Sequence, residues 1–173
     1  MGGNVQVSGG TCWRPLDEDD YKTNCRAIID NKSGHVGIWI IIRNSCGEVM
    51  AYCSQTLEAN LSTRIANVMA IQRSLQFGLK CGLTSTNIES DEATVIKWIN
   101  LGLHRDTDYG MILSDIDVLK ADIRGMSFSH IPPLASKAAL SLAKNVMSIA
   151  EDRFWMDEYL DSIRRIIQAE KPG

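Results

Sequence analysis

The order of apolar and polar positions divides the chain into two kinds of stretch with polar punctuation between them. The segment HVGIWIIIRN (35–44) is nearly all apolar and β-branched, with its longest apolar run from Val36 to Ile42. That pattern predicts a central strand buried on both faces. Ahead of it, TNCRAII (23–29) predicts a strand, and DNKSGH (30–35) supplies turn chemistry. After it, NSCG (44–47) predicts a tight turn and EVMAYCSQTL (48–57) the return strand of a hairpin. Three antiparallel strands follow from this.

The period then changes. In residues 62–82, Ile65, Val68, Met69, Gln72, Leu75 and Leu79 recur at helical spacing, behind a Ser-Thr start and ahead of Gly82. TNIESD (86–91) predicts a short strand. Residues 92–103 predict a helix with Val95, Trp98 and Ile99 on one face, and 108–125 another carrying Ile112, Ile116, Leu119 and Ile123. MSFSHI (126–131) predicts a fifth strand, and 132–150 a Pro-led, Ala-rich helix. Trp155, Tyr159, Ile163 and Ile166 fall at helical spacing, so 155–168 predict one more helix or a packed tail. The order β-β-β-α-β-α-α-β-α implies an α/β fold. Its five-stranded mixed sheet has three antiparallel strands, then parallel ones, with helices on the faces. Gly-rich residues 1–12 predict a flexible segment, and 13–168 a single domain without internal repeats.

Composition narrows the classes. The chain has 173 residues, 45% hydrophobic and 23% charged, enough for one domain with a real core. A net charge of −3 argues against a surface built throughout to coat nucleic acid, and leaves room only for a local basic patch. No apolar run approaches the roughly 20 residues of a membrane helix. The start MGGNVQ predicts neither a secretory leader nor myristoylation. Five cysteines without a CxxC pair predict free thiols and an intracellular, reducing location, cytoplasmic or nuclear. Cys25 and Cys53 read as small buried hydrophobes, and Cys46 as exposed in a turn. Three widely spaced histidines predict no zinc cluster.

Several strings, taken in order, carry a resemblance. They are Trp13-Arg14-Pro15, then Lys22-Thr23-Asn24-Cys25-Arg26-Ala27-Ile28, then Ile42-Arg43-Asn44. Ala66-Asn67-Val68-Met69-Ala70 and Glu89-Ser90-Asp91 come next, followed by the stretch from His130 to Lys144. The chain resembles ribonuclease H, specifically the plant reverse-transcriptase-derived RNase H-like family, from Trp13 to about Ile167. The resemblance implies the ribonuclease H fold and hydrolysis of the RNA strand of an RNA–DNA hybrid by two divalent metals. It also implies a plant, retroelement-derived ancestry. The four metal-holding acids of the family fall on Arg26, Asn67, Asp91 and Ala139, of which only Asp91 is a carboxylate.

Charge then decides what those positions can do. Mg²⁺ is a hard ion that wants carboxylate oxygens. Two-metal hydrolysis needs such ions both to activate water and to stabilise the leaving oxygen. Four acids offset two dications, whereas Arg26, Asn67, Asp91 and Ala139 sum to about zero. A guanidinium at Arg26 also repels a nearby dication by several kcal/mol at an effective dielectric of about 20. The expectation is an Arg26–Asp91 ion pair, no catalytic metal and no cofactor, with Mg²⁺ or Mn²⁺ only if Glu89 and Asp30 compensate. Glu89 otherwise reads as a rim residue and Asp30 as a turn residue. Three functions stay open: a non-catalytic nucleic-acid binder, a protein-interaction or dimerisation module, and a residual hybrid ribonuclease. Candidate phosphate contacts are Arg26, Arg43, Arg64, Arg73, Lys137 and Lys144, of which Arg64, Arg73, Lys137 and Lys144 otherwise keep exposed helix faces wet. The C-terminal stripe could dock a partner or pack on its own domain.

Overall fold

The computed structural model describes residues 21–102, 108–136, 141 and 153–156. The elements are β1 (Lys22–Asp30), β2 (His35–Arg43), β3 (Val49–Glu58), α1 (Thr63–Lys80) and β4 (Ser85–Ser90). Then come α2 (Ala93–Leu101), α3 (Gly110–Lys120), β5 (Gly125–His130), a 3-10 turn at Pro133–Ser136, and β6 (Arg153–Met156). The sheet order is β5-β4-β1-β2-β3-β6. The pairs β1–β2, β2–β3 and β3–β6 are antiparallel, while β4 is parallel to both β1 and β5.

Local chemistry closes each turn. Asp30 accepts from Lys32 N at 3.0 Å and Ser33 Oγ at 2.7 Å, and Gly34 takes the positive φ of 69° that ends the turn. This sets the β1–β2 register, with Asp30 opposite His35 and Lys22 opposite Arg43. Asn44 Oδ1 accepts from Cys46 N and Glu48 N, closing the β2–β3 turn. Ser62 Oγ accepts from Ile65 N at 3.3 Å and caps α1. Gly102, at φ 64°, ends α2.

Every residue of β2 from Val36 to Arg43 is buried, as a central strand requires. Val36, Ile38, Ile40 and Ile42 join Cys25, Ala27, Ala51 and Cys53 under α1, together with Val68, Ile71 and Leu75. Trp39, Ile41 and Tyr52 are also buried but lie outside that cluster, because alternation turns them to the other face. α1 packs on β1 and β2, and α3 packs on α1, where Gln72 Nε2 donates to Asp115 at 3.0 Å.

The five expected strands and three of the expected helices are present, with several corrections. α1 buries Ala66, Asn67, Ala70, Ile71 and Ser74 rather than Gln72, because it is covered by the sheet on one side and α3 on another. α2 buries Ile96 with Val95 and Ile99, while Trp98 is half-buried and stacks on Tyr109 at 4.6 Å. Residues 153–156 form a strand against Ala51–Ser54, not the start of a helix. Arg-Phe-Trp-Met is a strand-favouring string, and an unpaired edge was waiting for it. The rest of the C-terminal stripe lies outside the described residues, as do 1–12, Trp13-Arg14-Pro15, Cys12, and most of the helix expected over 132–150. Of that helix, the structure describes only the 3-10 turn and Ser141.

Candidate functional site

β1 and β4 pair only from Lys22 to Asn24, opposite Asn87 to Glu89, and then part. Arg26 stands two residues further along β1, and Asp91 just past the end of β4. Ligand crevices in α/β sheets open beyond the carboxyl ends of parallel strands, and this parting makes one. The cleft is shallow, with about 10 Å³ of space, room for a single water. Asn24, Cys25, Arg26, Trp39, Glu89 and Asp91 line it, with Ile131, Pro132 and Pro133 at its wall.

Arg26 Nε lies 3.2 Å from Asp91 Oδ2, with the two side chains 26% and 15% exposed. This is the ion pair expected from the sequence. Glu89 sits deeper. Its Oε1 is 2.8 Å from Lys22 Nζ, and its Oε2 accepts from Asn24 Nδ2 at 2.7 Å. Lys22, Asn24 and Glu89 are all buried, so the carboxylate is neutralised where it stands. Past Asn24, β1 has no pairing residue on β4, and Asn67 fills in: its Oδ1 accepts from Ala27 N at 3.2 Å. Asn67 Nδ2 donates to Thr63 O at 3.0 Å. Burial pushes the Cys25 thiol up to about 12, which keeps it protonated at neutral pH.

These donors do not fit a divalent metal. The one mapped carboxylate is paired with a guanidinium, the Asn67 carbonyl is committed to β1, and Glu89 is committed to Lys22 and Asn24. Asp30 lies at the hairpin turn, four residues beyond Arg26. Its carboxyl is held below the ordinary value chiefly by the Ser33 hydroxyl, then by Lys32 N–H. Among the described residues no group of three or more His, Cys, Asp or Glu could hold a metal ion.

The expected phosphate contacts separate. Arg43 is 0% exposed, so it is corrected to a buried residue; the end of β2 lies under cover and offers no surface to a phosphate. Arg64 is exposed on the first turn of α1, its guanidinium 5.1 Å from the centre of the Trp98 ring. Arg73 is half-buried and lines a separate groove with Gln55, Gln76 and Lys80. Lys137, Ala139 and Lys144 lie outside the described residues. Cys46 is exposed and Cys53 buried, as expected. Lys22, Asn24 and Trp39 were not singled out as cleft residues. Strand alternation does signal them: 22, 24 and 26 share one face of β1, and Trp39 opposes Arg26 across the hairpin.

With this geometry in place, the comparisons with known proteins agree on its class. The reverse transcriptase-like family model matches residues 24–146, so the chain belongs to that family. Solved structures of RNase H1 and related RNase H domains share the fold. An RNase H1 from the halophilic archaeon Halobacterium salinarum is similar at TM-score 0.68 and 15% identity, over 75% of this chain and 98% of that one. The N-terminal RNase H domain of a Mycobacterium tuberculosis protein gives 0.67 at 15%, over 76% and 95%. LC11-RNase H1, in complex with an RNA/DNA hybrid, gives 0.63 at 15%, over 70% and 92%. No curated protein matches. Among the described residues no helix is long and apolar enough to cross a membrane.

Proposed function

We propose that this chain is a catalytically silent RNase H-like domain that binds nucleic acid, an RNA–DNA hybrid or RNA, without cutting it. The Arg26–Asp91 contact at 3.2 Å carries the reading, because the cleft supplies its own cation where a nuclease needs acids for metals. The likeness to a structure that holds an RNA/DNA hybrid supports nucleic acid as the ligand. The free thiols of Cys25, Cys46, Cys53 and Cys81 support a reducing compartment, cytoplasmic or nuclear.

The test uses a fluorescent RNA–DNA hybrid with Mg²⁺ or Mn²⁺. The expected result is a salt-sensitive rise in anisotropy with the RNA strand intact. Cleavage that an Asp91→Asn variant loses would establish a residual ribonuclease instead. No anisotropy change on hybrid or RNA would end the binding reading. Light scattering would then ask whether the fold serves as a dimerisation or protein-interaction module.

A further inference from the structure

A second groove lies away from the cleft, between α1 and β3. Cys53 and Gln55 line it from β3, and Arg73, Gln76, Phe77 and Lys80 from α1. Residues 73, 76, 77 and 80 follow the i, i+3, i+4, i+7 spacing of one stripe along a helix. The stripe is about 10 Å long, with a cation at each end and Phe77 between. The space inside is about 30 Å³, enough for a pair of waters. Arg73 is half-buried, and its covered Nε has no hydrogen-bond partner; nor has the covered Oε1 of Gln55. Among the described residues no carboxylate pairs with Arg73. A guanidinium taken part-way out of water without a counter-charge is destabilising.

Two cations over an apolar floor ask for anions on an apolar backing. Room for a pair of waters suits the two oxygens of a carboxylate, which a guanidinium meets in plane. The chain itself brings carboxylates to this edge. β6 pairs with β3, with Phe154 opposite Cys53 and Met156 opposite Ala51. The next residues are Asp157-Glu158-Tyr159-Leu160-Asp161, acids on either side of Tyr159 and Leu160. This stretch follows directly on Met156, whose partner Ala51 is two strand positions from Cys53 in the groove. Fully extended it reaches roughly 17 Å, more than the length of the stripe. The family match ends at residue 146, so β6 and the acidic stretch lie outside the shared fold.

We infer that the groove between α1 and β3 is the seat of this chain's own acidic stretch, residues 157–161. One carboxylate accepts from the Arg73 guanidinium, another lies at Lys80, and the apolar pair between the acids covers Phe77. Tethering favours this occupant over a free acidic peptide, because a short linker holds its segment at an effective concentration on the order of millimolar. Once seated, the stretch ties the β3–β6 edge of the sheet to α1. The inference stands apart from the nucleic-acid reading, since none of the groove residues lines the cleft.

The first test is zero-length carbodiimide crosslinking of the wild-type full chain, which joins an amine to a carboxylate only where the two touch. Peptide mass spectrometry of the monomer band should show Lys80 joined to Asp157, Glu158 or Asp161. A urea-unfolding cycle then checks Arg73. It compares Arg73→Gln, the neutralised tail Asp157→Asn/Glu158→Gln/Asp161→Asn, and the two combined. Arg73→Gln should lower the folding equilibrium constant about 3- to 10-fold in the wild-type chain and leave it unchanged on the neutralised tail. Lys80 joined to the tail only in a dimer band would overturn the inference and give the groove to a second copy. No link from Lys80 to the tail in either band would overturn it as well. So would an Arg73→Gln cost that is absent, or that persists undiminished on the neutralised tail; the groove then holds ordered water or a foreign acid.

Discussion

Two ion pairs stand close together in the cleft, and their depth separates their roles. Arg26 and Asp91 are partly wet, so their attraction is screened and contributes on the order of 1 kcal/mol to stability. Lys22 and Glu89 are 9% and 6% exposed, and breaking a pair at that depth leaves a charge in low dielectric. Glu89→Gln should therefore destabilise the fold by about 3 kcal/mol, read as a lower urea midpoint at unchanged slope. The Cys25 thiol offers a second check. Its value is raised from 9.0 to about 12, chiefly by burial, so the stability it lends is fully present below pH 9 and is lost as pH rises towards 12. At pH 8 a thiol reagent should label Cys46 in the native chain and reach Cys25 only after denaturation. The Arg26–Asp91 pair was legible in the sequence because the resemblance placed both residues at one site. Glu89 with Lys22 was not, because a lysine opening a strand reads as solvated until a buried carboxylate is found two strand positions from the site.

Among the elements, one polar side chain adds to the apolar packing that joins α1 and β1. Asn67 satisfies an N–H that β4 leaves unpaired when it parts from β1. Asn67→Ala should cost about 1–3 kcal/mol by leaving that buried N–H without an acceptor, measured by thermal or urea unfolding. No helical periodicity foretells this, since Asn67 lies outside the apolar stripe read for α1. The same blindness applies to Trp98. Its spacing fits a core face, and it does pack half-buried against the core, but its contacts with Arg64 and Tyr109 are not foretold by that spacing. β6 escaped a helix-spacing reading because its partner, the edge of β3, is about a hundred residues away in the chain. β2 was plain from its composition, since burial on both faces leaves no polar positions to confuse the period.

For the molecule as a whole, the order of elements along the chain as far as β5 was readable because the periods change cleanly and the hairpin turns are marked by Asp30, Gly34 and Asn44. What the surface binds was less readable, since that depends on which charges are paired. A chain of net charge −3 has no broad positive field, and the Arg26 guanidinium in the cleft is paired with Asp91. Binding to single-stranded RNA should therefore show a shallow salt slope, of magnitude about 1 to 2 rather than the steep slopes of proteins that grip many phosphates. A pocket built from several like-charged acids strains against itself until an ion arrives, and chelators loosen it. In this chain the opposing charge is part of the polypeptide and closes the circuit from the moment of folding. Its melting midpoint should not move when a strong chelator is added, and a drop of several degrees would point to a resident ion.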